Sequence, residues 1–179
     1  MIKIKPSQPI ICYQSFENLH DHVGVSQKFK AWRSGAASRV KSATIEVEYI
    51  NFPADNLARN ALEYAVAIWE TELVSTVPIR MRAEWRALSS GVLGQAIWGS
   101  AYANFGGEQH INTFYPVALA EKITGREING VNEPDIVASF SSNASWYFGT
   151  DGKTPAGKMD MVTIALHEIA HGLGFTDTY

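Results

Sequence analysis

The C-terminal part of the chain reads Met161-Val-Thr-Ile-Ala-Leu-His167-Glu168-Ile-Ala-His171-Gly-Leu-Gly174-Phe-Thr-Asp177. An α-helix turns about 100° per residue, so His167 and His171 fall about 40° apart on one face, one turn from each other. Two imidazoles placed this way can hold one divalent metal, Zn²⁺ above all. Glu168 follows the first imidazole and points beside the metal, where a bound water would sit. Zinc makes such a water acidic, and a carboxylate can take its proton as it attacks a carbonyl. The expected chemistry is therefore hydrolysis by metal-activated water, with His167 and His171 as ligands and Glu168 as general base.

The surroundings fit that role. The apolar run Met161, Val162, Ile164, Ala165 and Leu166 would bury the helix. Gly172 and Gly174 follow, and a glycine at 174 lets the chain leave the helix sharply. A plain core helix would use Leu or Ala where this one has two histidines and a glutamate.

The elements that must position these residues are readable upstream. Residues 1–42 are poorly periodic and are expected to be an N-terminal arm or pro-segment, with a short helix at 15–20. Residues 43–179 form the second unit. Ala43–Tyr49 alternates, with Ile45, Val47 and Tyr49 opposite Glu46 and Glu48, and predicts a half-buried strand. Asp55 is the expected N-cap of a helix over 56–73, whose apolar stripe is Leu62, Ala65, Val66 and Trp69. Val77–Trp85 alternates again, and strand, helix, strand suggests a parallel βαβ unit. Residues 89–114, rich in glycine and aromatics, read as irregular extended segments and turns, one of which could offer an edge to an extended peptide. A short helix is expected over 116–123 and a buried strand over 135–140. A long loop over 141–157 and the metal-binding helix over 158–174 complete the chain. The fold class is α/β (α+β): a twisted mixed sheet with a backing helix and an active-site helix.

His167-Glu168-x-x-His171-x-x-Gly174-x-x-Asp177 resembles the extended zinc motif of the metzincin clan, and the aspartate in the last position resembles its snapalysin-like branch. From Ile45 to Phe175 the chain is also similar to secreted bacterial metallopeptidases with a like zinc helix. The resemblance implies a zinc-dependent endopeptidase, peptide or protein substrates, Zn²⁺ as cofactor, an extracellular location and Asp177 as third metal ligand, sequence past Tyr179 being the other source of one. It further implies that the catalytic domain is represented by its N-terminal part, because the clan places a methionine turn after the third ligand and all four methionines here precede His167. The rivals are a non-catalytic zinc-containing binding or structural module and a zinc hydrolase of non-peptide amides.

Other residues have plainer readings. His20 and His22 are expected to be surface histidines, and His110 is weighed for a cleft contact. Cys12 could ligate zinc from the arm and hold the enzyme latent, against an ordinary cysteine beside Ile10 and Ile11. Asn143-Ala-Ser145 fits a glycosylation acceptor. Trp146, Tyr147 and Phe148 could line a cleft, with core packing favoured. Asp151 and Asp160 could bind calcium, with solvated and helix-N-terminal charges favoured.

Composition bounds the rest. The chain has 179 residues, 46% hydrophobic and 18% charged, which describes a folded domain with a core and not a disordered segment. Its net charge is -3 and no basic stripe clusters, so nucleic acid is not an expected partner. No apolar run approaches the roughly 20 residues of a membrane helix. The single cysteine excludes an internal disulfide. The N-terminus has no apolar run that would make it a signal peptide as written.

Overall fold

The computed structural model of the protein describes residues 1–6, 8–13, 26–36 and 42–175. Along the chain come β1 (Ile2–Ile4), β2 (Ile10–Tyr13), α1 (Gln27–Arg33), β3 (Ile45–Ile50), α2 (Leu57–Glu72), β4 (Ile79–Arg86) and β5 (Val92–Trp98). They are followed by β6 (Ala101–Ala103), β7 (Tyr115–Pro116), α3 (Val117–Thr124), β8 (Ile136–Ser141), β9 (Trp146–Tyr147), β10 (Met159–Asp160) and α4 (Met161–Leu173). The class is mixed α/β, as the sequence predicts.

The main sheet has five strands in the order β2-β5-β8-β4-β3. β3, β4 and β8 run parallel, in a register that sets Ile45 opposite Ile79 and Met81 opposite Ile136. β5 lies antiparallel to β8, and β2 antiparallel to β5. The two-residue alternation of β4 explains its two faces. Ile79, Met81 and Ala83 enter the core, while Arg82 and Arg80 on the other face pair across the register with Glu48 at 2.7 Å and Glu46 at 3.7 Å. The Arg82–Glu48 pair is exposed and contributes at most ~1 kcal/mol, while Arg80 is half-buried and also pairs with Glu127.

α2 and α4 cover the core face. Ala61, Leu62, Ala65, Val66 and Ile68 of α2 meet Ala165, Leu166 and Ile169 of α4 and the buried residues of the sheet. Trp69 is half-buried, and its indole N–H donates to the Leu166 carbonyl at 3.2 Å, tying α2 to α4. Gly172 lets α4 lie against β8, since a Cβ there would stand 2.3 Å from Ile136 Cγ2.

Several local expectations shift. α2 is capped by two neighbours. Asn56 takes the left-handed cap position, and the Asp55 carboxylate accepts the Leu57 N–H at 3.1 Å. α4 begins at Met161, not 158, because Asp160 caps it: its Oδ1 accepts the Thr163 N–H at 2.7 Å. The glycine-rich stretch read as irregular contains β5, a full strand of the main sheet. The arm also carries ordered structure. β1 pairs with β6, β2 with β5, and α1 drives Phe29, 0% exposed, into the main core against Trp32 and Tyr64. The expected helix at 15–20 lies outside the described residues. No described helix is long and apolar enough to cross a membrane.

Candidate metal centre

α4 delivers the three central residues. Its C-terminus turns through Gly174 at φ 107°, a left-handed conformation that favours glycine. The Gly174 and Phe175 N–H groups close the turn on the His171 and Ala170 carbonyls, both at 3.0 Å. That turn brings the Phe175 carbonyl to 2.7 Å from His171 Nδ1. A carbonyl can only accept, so His171 carries its proton on Nδ1 and leaves the Nε2 lone pair free, as a ligating histidine requires. His171 Nε2 in turn lies 2.8 Å from His167 Nε2. The two ring nitrogens that would bind one metal thus converge on one point. For both Nε2 atoms to hold one metal, His167 would carry its proton on Nδ1.

His167 is exposed and His171 half-buried. Loss of hydration from neighbouring packing, then the neighbouring His171, hold His167 below the ordinary imidazole pKa, which favours the neutral, ligating form.

Glu168 is the opposite of its neighbour. It is 0% exposed, and neither carboxylate oxygen has a hydrogen-bond partner among the described residues. Burial pushes its pKa up to about 8. It reaches toward β5, where Gly94 makes room for it: a Cβ on Gly94 would meet Glu168 Oε1 at 2.6 Å. An orphaned buried carboxylate costs stability, about 1–3 kcal/mol for an unsatisfied polar group and more if charged. Two converging imidazoles beside it fit a divalent cation with a bound water.

Cys12 arrives from β2. It faces Gly94 in the β2–β5 register, and ligand atoms of Cys12, His167 and Glu168 all lie within 4.8 Å of one another. Burial, with the Glu168 charge adding to it, pushes the half-buried thiol up to about 11. A largely apolar hollow of about 290 Å³ opens beside His167, lined by Ile68, Trp69, Glu72, Thr163 and Leu166.

Of the other candidates, Asp177, His20 and His22 lie outside the described residues, and the rest have partners of their own. His110 is exposed and donates its backbone N–H to the Tyr115 hydroxyl at 3.0 Å. Trp146 is a core residue whose indole N–H donates to the Ser141 carbonyl at 2.7 Å. Asp151 accepts from the Tyr147 hydroxyl at 2.6 Å, and Asp160 is committed to the α4 cap and to Thr154 at 2.7 Å. A second buried acidic group, Glu121, Glu127 and Asp135, was not visible in the sequence. Its partners come from α3, a loop and the entry to β8, so no spacing links them. The one sequence signal is Glu121 itself, standing among the apolar residues of Val117–Thr124.

The SPBPB7E8-like family model matches residues 83–179, more than half of the chain. The chain belongs to the SPBPB7E8-like family. The matched segment runs from within β4 through α4 and contains His167, Glu168, His171 and Asp177, while β1, β2 and Cys12 precede it. No curated protein and no solved structure matches the chain.

Proposed function

We propose that this chain is a zinc-dependent endopeptidase that hydrolyses peptide bonds with metal-activated water. The observation that carries the proposal is the convergence of His167 and His171 Nε2 at 2.8 Å beside a fully buried glutamate with no hydrogen-bond partner among the described residues. His167 and His171 would hold the metal, and Asp177 would be the third ligand by its resemblance to the metzincin motif. Bound zinc supplies Lewis-acid polarisation of the scissile carbonyl and a water acidic near neutral pH. Glu168 takes the proton of the attacking water on a carboxylate oxygen and passes it to the leaving amine. The Phe175 carbonyl holds His171 in the ligating tautomer. β5 is bonded on both sides, by β2 and by β8, so an extended peptide would add at the outer edge of β2 by main-chain hydrogen bonds.

The test is metal content first, then turnover. The purified chain is expected to hold about one zinc, lost in His167→Ala and in His171→Ala. Undiminished stoichiometric zinc in both variants sinks the site. Glu168→Gln is expected to keep its zinc and to lose ~10²–10⁴-fold in cleavage of a quenched-fluorescent peptide pool. A Glu168→Gln variant that cleaves at the parent rate refutes the base assignment.

A further inference from the structure

Glu121 stands on an otherwise apolar face. Val117, Ala118 and Ala120 are the other buried residues of α3, and Glu121 is 1% exposed among them. One of its oxygens is accounted for, since Oε1 accepts the Ile128 N–H at 2.9 Å. Its Oε2 is buried, and no donor among the described residues reaches it. An apolar residue would pack at this position without that cost. The carboxylate therefore asks for a partner of another kind.

Two more carboxylates share the space. Oxygens of Glu121, Glu127 and Asp135 lie within 4.8 Å of one another, and Asp135 is wholly buried. Asp135 Oδ2 accepts the Arg80 backbone N–H at 2.7 Å, and its Oδ1 accepts from Asn129 Nδ2 at 2.9 Å. The Asn129 Oδ1 is itself buried without a partner. So is the hydroxyl of Ser100, a residue with no exposed surface. Its stretch is bonded to both neighbours: the Ser100 carbonyl accepts the Val117 N–H at the start of α3, and the Gly99 N–H donates to the Asp135 carbonyl. Charge does not balance either. The one guanidinium at the group, Arg80, pairs with Glu127 and is shared with Glu46 at 3.7 Å, so two of the three carboxylate charges are left unanswered.

We propose that Glu121, Glu127 and Asp135, with the Asn129 carbonyl oxygen, form a binding site for Ca²⁺. The donors are all oxygens, with neither imidazole nor thiol among them, which selects a hard cation over zinc. Carboxylates gathered from a helix, a loop and a strand entry, most of them out of water, suit Ca²⁺ better than Mg²⁺, which keeps its own waters in a strict octahedron. A carboxylate oxygen that accepts one hydrogen bond still has a lone pair to give, and Glu121 Oε2 has both of its own. A divalent ion answers the two charges that Arg80 leaves. In the calcium-free chain a proton on Glu121 gives partial relief instead. The ion would join α3, the loop after it and the entry to β8. That matters because β6 and α3 pack on a small core of their own, Tyr102, Phe105, Val117 and Ala120, beside the main one. The site shares no residue with the α4 centre and does not rest on the zinc proposal.

The experiment uses the full chain, stripped with chelator and titrated with CaCl₂ alone. Calorimetry is expected to show about one Ca²⁺ per chain, with Kd on the order of 10⁻⁶–10⁻⁴ M. Calcium at about 100 times Kd should raise Tm by roughly 5–10 °C, because it binds the folded chain only. Glu121→Gln and Glu127→Gln keep the shape of the side chain and remove a charge. Each should lose at least tenfold in calcium affinity, and Glu121→Gln should keep the calcium-free Tm of the parent. The His167→Ala/His171→Ala double variant should bind calcium as the parent does. No heat and no Tm shift in the parent up to about 10 mM calcium overturns the inference, and makes the group a proton-sharing network around Arg80. Undiminished binding in both glutamine variants overturns it by placing the ion elsewhere, and so does loss of calcium in the double histidine variant. None of these results decides whether the α4 histidines hold zinc.

Discussion

Gly94→Ala tests whether Glu168 is held where its function needs it. Gly94 lies in the middle of β5, between Cys12 of β2 and Phe140 of β8, so its backbone is fixed by strands on both sides. A Cβ there would stand 2.6 Å from Glu168 Oε1 and 2.9 Å from its Cγ and Cδ. Ordinary non-bonded contacts are at about 3.5–4.0 Å, so the carboxylate must retreat by close to 1 Å. It has no solvent to retreat into, being 0% exposed. Overpacking of this kind costs ~1–3 kcal/mol, which in a domain of this size lowers Tm by roughly 2–10 °C. A displacement of about 1 Å in a catalytic group costs on the order of 10²-fold in rate. Zinc content should not change, because neither histidine is touched. Thermal denaturation by circular dichroism, elemental analysis and turnover read the three effects separately. The double variant Gly94→Ala/Glu168→Ala should recover most of the lost Tm, since the clash is with that one side chain. A Gly94→Ala protein that melts and turns over like its parent would refute the packing argument.

The acidic group at the base of α3 gives a pH prediction. Burial, then the hydrogen bond shared with Glu127, push Glu121 up to about 8 from an ordinary 4.5, and Glu121 is 1% exposed. For Glu127, burial pushes up but is outweighed by the bonds from Glu121 and Arg80, and it stays below the ordinary value. The folded state therefore binds the Glu121 proton more tightly than the unfolded state, and this contribution to stability is complete below pH 4.5 and lost as pH rises toward 8. The raised Glu121 sets the sign of the effect, and the opposite shift of Glu127 reduces its size. Glu121→Gln keeps a donor without titrating, and should flatten urea-denaturation stability between pH 5 and 8; an unchanged slope counts against the shared proton. Asp160→Ala removes the α4 cap and should cost ~1 kcal/mol by urea denaturation, with a loss of under 0.3 kcal/mol arguing that Thr154 and β10 hold the helix start without it. Glu168→Met replaces an orphaned carboxyl by an apolar side chain of similar length and should raise the Tm of the metal-free chain while abolishing turnover; a lower Tm would mean that Glu168 is a structural residue.

Most of the frame that positions the centre was legible because it is periodic. The alternation of β3 and β4, the i, i+3, i+4, i+7 stripe of α2 and the spacing of His167 and His171 each state their own face. β5 was not legible, and Gly94 is the reason. A glycine inside a strand reads as a turn until the side chain that occupies its Cβ position is known, and that side chain is Glu168, far along the sequence. β2 is four residues long, too short to carry a period, and its partner is fixed only by the tertiary fold. The meeting of Cys12 with His167 and Glu168 follows from that pairing, so the sequence could offer Cys12 as a zinc ligand on chemistry alone. The Phe175 carbonyl that orients His171 was hidden for a different reason: backbone groups leave no mark on a sequence. Only Gly174, which turns the chain to present that carbonyl, is visible there.

The rival view, a zinc-bearing module without turnover, meets its difficulty at Glu168. A structural zinc site closes its coordination with four protein ligands and asks nothing further of the residues around it. Its neighbours are free to be apolar, and a buried carboxylate without a donor would be replaced at a gain in stability. Here the chain keeps the carboxylate, keeps residue 94 without a Cβ so that it fits, and keeps His167 beside it exposed. Each feature alone is a local oddity. Together they fit the proposed hydrolase reading, in which Glu168 would be a base held out of water beside the two imidazoles that would hold the metal. A module that only bound zinc would have use for the two histidines and for none of the rest.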